Sequence, residues 1–152
     1  MTVMVREPRA EDRDAFLAMW EDFVALAPSE PGNHAMGPLN WERIMGTEHA
    51  LQCLLAADAD DRPRAFVLFL AFPFTWSRGD VCYLQDIYVC PEARGRGMAQ
   101  ALIARVAEIG RARGWFKIFW MTQSDNFAAQ RLYDKVAERK DYIRYDLNLR
   151  AP

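Results

Sequence analysis

Residues 83–108, YLQDIYVCPEARGRGMAQALIARVAE, pass from a β-rich apolar segment through a turn rich in glycine and arginine into an amphipathic helix. Gly95 and Gly97 have no Cβ. The backbone N–H groups between Arg94 and Ala99, those of Arg96 and Met98 included, can therefore close on a phosphate at the positive end of the following helix. The strand ahead of the turn offers backbone groups at Ile87, Tyr88 and Val89. Together these features suit a long ligand with a pyrophosphate at one end and an amide-bearing arm at the other.

The rest of the chain fits one domain over residues 1–152, because 51% hydrophobic and 12% aromatic residues are ample for a core. A formal net charge of -2 speaks against a nucleic-acid scaffold, which carries a clustered basic excess. No apolar run reaches the ~18 residues that span a bilayer, and Arg6, Glu7 and Arg9 stand where a signal peptide is apolar, so a cytoplasmic location is expected. Cys53, Cys82 and Cys90 lie in or beside apolar segments without a short-spaced pair and read as buried thiols. His34 and His49 match no metal-ligand spacing, so no metal is expected, although either can be catalytic.

Hydrophobic patterning predicts a strand at 3–6, then a helix opened by Pro8, with Phe16, Met19, Trp20, Phe23 and Leu26 on one face, ended by Pro28. A Pro-, Gly- and Asn-rich stretch at 29–39 precedes a short helix at 41–45 and a strand at 51–57. This loop is a candidate lining for a substrate site. The unbroken apolar run 65–72 belongs in the sheet centre. Strands at 81–89 and 115–121 flank a helix at 97–113 capped by Gly114, and a helix from Asn126 to about Ala137, capped by Ser124 or Asp125, precedes an alternating strand at 141–149. The order predicts an α/β fold with one central, mixed, mostly antiparallel sheet and helices on both faces.

Two phosphate-loop readings fail on residue identity. A P-loop needs Gly-Lys-Ser/Thr where this chain has Gly97-Met98-Ala99. A dinucleotide fingerprint needs a third small residue where Gln100 stands, and an acid that 115–121 does not supply. The third pattern, [Q/R]xxGx[G/A], is met by Arg94, Gly97 and Ala99. With its flanks, YLQDIYVCPEARGRGMAQALI, a strand and then QSDNFAAQRLYDKVAE, the chain resembles the GNAT superfamily of N-acetyltransferases over roughly residues 83–137. VREPRAEDRDAF is similar to that family's first strand and helix. YLQDIYV and LYDKVA are closest to its diamine (spermidine/spermine) and histone-type small-domain branch.

The resemblance implies acetyl-CoA as co-substrate, its pyrophosphate on the loop Arg94 to Ala99 and its pantetheine arm between two splayed strands, bonded by backbone groups of Ile87 and Val89. It implies that Asn126, and Ala129 beside it, contact the coenzyme arm. It also implies that the Tyr133 hydroxyl protonates the leaving thiolate. Asn126 and Tyr133 lie seven positions apart, almost two full turns of helix, so one ligand can touch both. Their plain structural readings are a helix-start residue and a core aromatic. Ala137 stands where the family has a glycine, so the last helix is expected to run on a little.

A lysine-like amine of pKa ~10.4 is neutral about one time in a thousand at pH 7, so a base is required. Gln85 occupies the position of the branch's glutamate and cannot accept a proton. Asp86, a loop acid such as Glu30, or His34 must serve instead, or a water chain must lead out. Asp86 equally reads as an orienting acid. Tyr83, Trp76, Phe74 and Trp20 are candidates to wall a pocket for an ammonium, with the core as the plainer assignment.

The expected activity is direct acetyl transfer to a primary amine of a small molecule or protein, since no cysteine has an activating neighbourhood. A non-catalytic acyl-CoA-binding or sensing module and a nucleotide-binding protein remain open. The alternating strand at 141–149 makes a homodimer plausible.

Overall fold

The computed structural model describes residues 3–26 and 33–149. They fall into two compact units, one ending at Met121 and one beginning at Thr122.

The first unit is a five-stranded sheet in the order β1 (Met4–Arg6), β2 (Gln52–Ala57), β3 (Pro63–Phe72), β4 (Val81–Val89) and β5 (Lys117–Phe119). The first four strands pair antiparallel and β4 pairs with β5 in parallel. Strand β3 is central, as its unbroken apolar run requires: Ala65, Phe66, Val67, Leu68 and Phe69 are all buried.

Alternation along β3 assigns the two faces. Phe66 points to the helix α1 (Arg13–Ala25), where its ring meets Phe16 at 5.4 Å and Trp20 at 6.4 Å, with Tyr88 of β4 at 5.8 Å. Helix α2 (Met36–Met45) joins this side, its Trp41 ring 5.4 Å from Phe16. Phe69 points the other way, to Trp115, which packs on Gly110 of α3 (Met98–Arg113). A methyl at Gly110 would stand 2.7 Å from the Trp115 ring, so only glycine allows that approach. Helices therefore cover both faces, and the α/β fold is the expected one.

Several local expectations are corrected. Helix α1 starts at Arg13 after a 3₁₀ turn at Ala10–Asp12, and it buries Val24, leaving Leu26 exposed. Helix α2 begins earlier than Trp41 because Gly37 lets the backbone lie against Trp20, where a Cβ would meet the ring at 2.9 Å. Strand β5 is shorter than 115–121. Pro28 and Glu30 lie outside the described residues.

The second unit holds α4 (Phe127–Val136). Its cap is Asn126, not Ser124 or Asp125: the Asn126 Oδ1 accepts from the Ala129 N–H at 3.2 Å. Helix α4 does not run on, since Ala137 is already extended at φ -149°. Residues 141–149 form no strand. They are exposed throughout and hydrogen-bonded into no ladder, and alternation alone supplies no partner for their backbone groups.

Candidate active site

Strand β4 carries the irregularity that builds the site. Leu68 lies opposite Asp86 and Phe69 opposite Leu84, so Gln85 is an extra residue, a β-bulge. The bulge resets the alternation and turns Gln85 and Asp86 toward one cavity beside α2. On its other edge, β4 pairs with β5 only from Val81 to Tyr83. From Leu84 to Val89 that edge has no neighbouring strand among the described residues, so its backbone groups are open to a ligand arm.

Beyond β4 the chain makes a 3₁₀ turn at Pro91–Ala93 and reaches the glycines. Gly95 and Gly97 are left-handed, at φ 74° and 79°, and the space where a Cβ would sit is empty at both. Gly97 is the N-cap of α3, its carbonyl accepting from the Ala101 N–H at 2.9 Å. The first N–H groups of α3 have no partner within the helix and point outward at its positive end. An anion fits this cradle, and the pyrophosphate of coenzyme A would be held there by the backbone from Arg94 to Ala99.

Side chains divide around that backbone. Met98 is buried, Arg94, Gly95, Arg96 and Gly97 are exposed, and Ala99 is half-buried. The Arg94 Nε folds back on the Val89 carbonyl at 3.2 Å. Tyr88 is in the aromatic core against Phe23 and Phe66, so only its backbone can meet a ligand; Ile87 and Val89 are half-buried on the strand's open stretch.

Asp86 lines a cavity of about 260 Å³ with Gln85, Leu68, Asn40, Arg43 and His49. Burial pushes its carboxyl up to about 6, because desolvation disfavours the charged form. A carboxylate tuned to this range suits proton transfer near neutral pH.

In the second unit, Asn126, Ala129 and Tyr133 belong to one helix and its cap. Burial raises the Tyr133 phenol above its ordinary value, which keeps its proton in place at neutral pH. Asn126 performs its plain role as a cap through Oδ1.

His34 is hydrogen-bonded to Glu21 on the surface and does not line the cavity; His49 does. The four aromatics offered as walls are placed elsewhere. Trp20 is core, Tyr83 stacks on Phe119 at 5.0 Å, Trp76 is 87% exposed, and Phe74 packs on Phe116 at 5.4 Å. Patterning missed Asn40 and Arg43, whose only signal was a position three residues apart on a short helix. The three cysteines are buried and unpaired, and burial raises all three thiols, Cys82 to about 12.

Against this geometry, the sequence profile of the acetyltransferase (GNAT) family matches residues 15–137. The chain belongs to the GNAT acetyltransferase family. As a GNAT N-acetyltransferase it transfers an acetyl group to an amine, and the family uses acetyl-CoA. The chain is similar to a D-amino-acid N-acetyltransferase of Saccharomyces cerevisiae, 26% identical over 151 residues, 96% of this chain and 91% of that protein. An acetyltransferase of Pectobacterium atrosepticum is 31% identical over 133 residues, 87% of this chain and 84% of that one. Among solved structures, AAC(6')-Iy in complex with the bisubstrate analogue CoA-S-monomethyl-acetylneamine shares the GNAT fold at a TM-score of 0.79 and 20% identity, covering 97% of this chain and 99% of that one. None of these comparisons singles out the diamine or histone-type branch. No helix of the described residues is long and apolar enough to cross a membrane, and no group of His, Cys, Asp or Glu among them is placed to hold a metal.

Proposed function

We propose that this GNAT enzyme moves an acetyl group from acetyl-CoA directly to a primary amine, with Asp86 as the base and Tyr133 as the acid. The observation that carries the reading is the bulge at Gln85. It aims a carboxylate that has no cationic partner among the described residues into a cavity on the strand that has an open edge and leads into the glycine cradle.

Acetyl-CoA supplies the acetyl group already activated as a thioester. The backbone from Arg94 to Ala99 holds the diphosphate, and the open edge at Ile87 and Val89 bonds the amide arm. Asn126 and Ala129 contact that arm in the family pattern. Asp86 draws in the ammonium and takes its proton, so the amine attacks neutral. Tyr133 gives its proton to the departing sulfur. The raised cysteine thiols support transfer without a covalent enzyme intermediate, because a thiol protonated at neutral pH is a poor nucleophile.

The family profile runs through both compact units, which supports residues 1–152 as a single acetyltransferase domain. A cytoplasmic location, a homodimer and independence from metal complete the proposal. An acetyl-CoA consumption screen over amine classes tests it. Turnover with at least one primary amine is expected; saturable binding of acetyl-CoA with no consumption by any amine would instead identify a sensing module.

A further inference from the structure

Arg43 sits in the last turn of α2, half-buried, where its Nη1 donates to the Asn40 Oδ1 at 3.2 Å. Asn40 is itself 7% exposed and lines the same cavity. No carboxylate lies in ion-pair range of Arg43 among the described residues, although this surface pairs many of its other arginines: Arg6 with Asp12 and Asp61, Arg64 with Asp58 and Glu92. Asp86 lines the same cavity and has no cationic partner among the described residues either. The cavity therefore holds one cation and one carboxylate that do not bridge to each other.

Two opposite charges kept apart in a partly desolvated space are each costly, since a buried charge needs a counter-charge or hydrogen bonds. A ligand that spans them with the reverse dipole satisfies both. Its ammonium faces Asp86 and its anion faces Arg43. The guanidinium is a planar fork that matches a carboxylate in two parallel hydrogen bonds, and the Asn40 oxygen fixes the orientation of that fork. At about 260 Å³ the cavity lies just below the ~300–1,000 Å³ usual for ligand pockets, which fits a compact molecule. Leu51, Leu68 and Leu70 give the remaining wall an apolar lining, suited to a short aliphatic stem between the two charged ends.

We infer that the acceptor is a small amine that also bears a free carboxylate, a compound of the amino-acid class, and that Arg43, oriented by Asn40, is the residue that selects it. This assignment rests on the acetyltransfer reading above and narrows its substrate class. Arg43 is a specificity residue. It takes no part in moving the proton.

The experiment compares an amino acid with its carboxamide in the full-length protein, measuring kcat/KM for each with acetyl-CoA in excess. A paired set such as alanine and alaninamide, in both enantiomers, and lysine and lysinamide keeps the carbon skeleton constant while the anion is removed; the amide also lowers the α-amine pKa, so each kcat/KM is expressed for the neutral amine. The free acids are expected to be favoured by on the order of 10²-fold, the scale of a charge-assisted bidentate contact. Arg43→Ala should bring the acid-to-amide ratio close to one, chiefly through KM, and Arg43→Lys should leave it in between because charge is kept and the fork lost. Thermal shifts give a second reading: the acids should raise the melting temperature of the wild type, and raise it less in the variants.

Equal use of acids and amides by the wild type overturns the assignment and leaves acetyl transfer standing. A parallel loss with both substrates in Arg43→Ala overturns it as well, returning Arg43 to a structural role. Turnover with no amine of either kind overturns the functional reading, and the assignment falls with it.

Discussion

Asp86 and Tyr133 show how a titratable side chain acquires a role from its surroundings. Desolvation raises both groups, but the consequences differ: Asp86 gains a proton affinity near the working pH, whereas Tyr133 holds its proton more firmly. Tyr133→Phe is expected to lower kcat by ~10²-fold or more with little change in acetyl-CoA affinity, measured by steady-state kinetics and calorimetry. Near wild-type turnover would make Tyr133 a packing residue. For Asp86 the sign of the pH effect follows from its raised pKa. The carboxylate is the active base, so the rate falls as pH drops through about 6. Asp86→Asn should lose most near neutral pH and less at alkaline pH, where more amine arrives neutral. The same shift governs stability. Between the ordinary carboxylate range and about 6 the folded state binds more protons than the unfolded chain, so stability declines as pH rises through that window. Asp86→Asn should therefore melt above the wild type at pH 7.5, with the gap closing near pH 4. A gap that is the same at both values would show that Asp86 ionises without cost.

At the scale of elements, three positive-φ glycines bracket α3: Gly95 and Gly97 before it and Gly114 after it. Gly97→Val places a branched residue in the left-handed region, at ~1–2 kcal/mol, with no atom within 4 Å of its Cβ. The fold is expected to persist with a lower melting temperature while calorimetric coenzyme binding is lost, because the side chain fills the cradle. Unchanged affinity would move the phosphate site elsewhere. Gly79 behaves differently. A Cβ there would lie 2.2 Å from the Gly114 carbonyl oxygen, so Gly79→Ala must displace the turn that ends α3. A loss of about 1–3 kcal/mol is expected from chemical denaturation, against less than about 0.5 kcal/mol for the exposed neighbour Arg78→Ala. The chain is thus close-packed at Gly79, where it passes the end of α3.

For the whole molecule, residues 141–149 bear on assembly. Ile143, Tyr145, Leu147 and Leu149 are each 79–89% exposed in the single chain, although their alternation is that of a half-buried strand. Contiguous exposed apolar surface of this kind marks an interaction surface. If a second copy covers it, the full-length protein sediments as a dimer and a chain ended after Lys140 as a monomer. A monomer at all concentrations would remove the homodimer from the proposal.

The sequence by itself determined what depends on short-range chemistry. Strand, glycine turn and helix from Tyr83 to Arg113 follow from hydrophobic period, from glycines that alone tolerate positive φ, and from basic residues at a helix end; the family follows from that order. The centrality of β3 was also legible, because a strand apolar on both faces has nowhere else to go. The bulge at Gln85 depends on the register between β3 and β4, which pairs residues far apart in sequence. The placing of Arg43 and Asp86 around one cavity, the choice of His49 over His34 and the dispersal of the four aromatics depend on how α2 crosses the sheet. The bare 141–149 segment depends on whether a neighbouring strand is there to receive it. Local rules fix which conformation a segment favours, but the side chains that share a cavity are chosen by long-range packing, and only the tertiary structure records that choice.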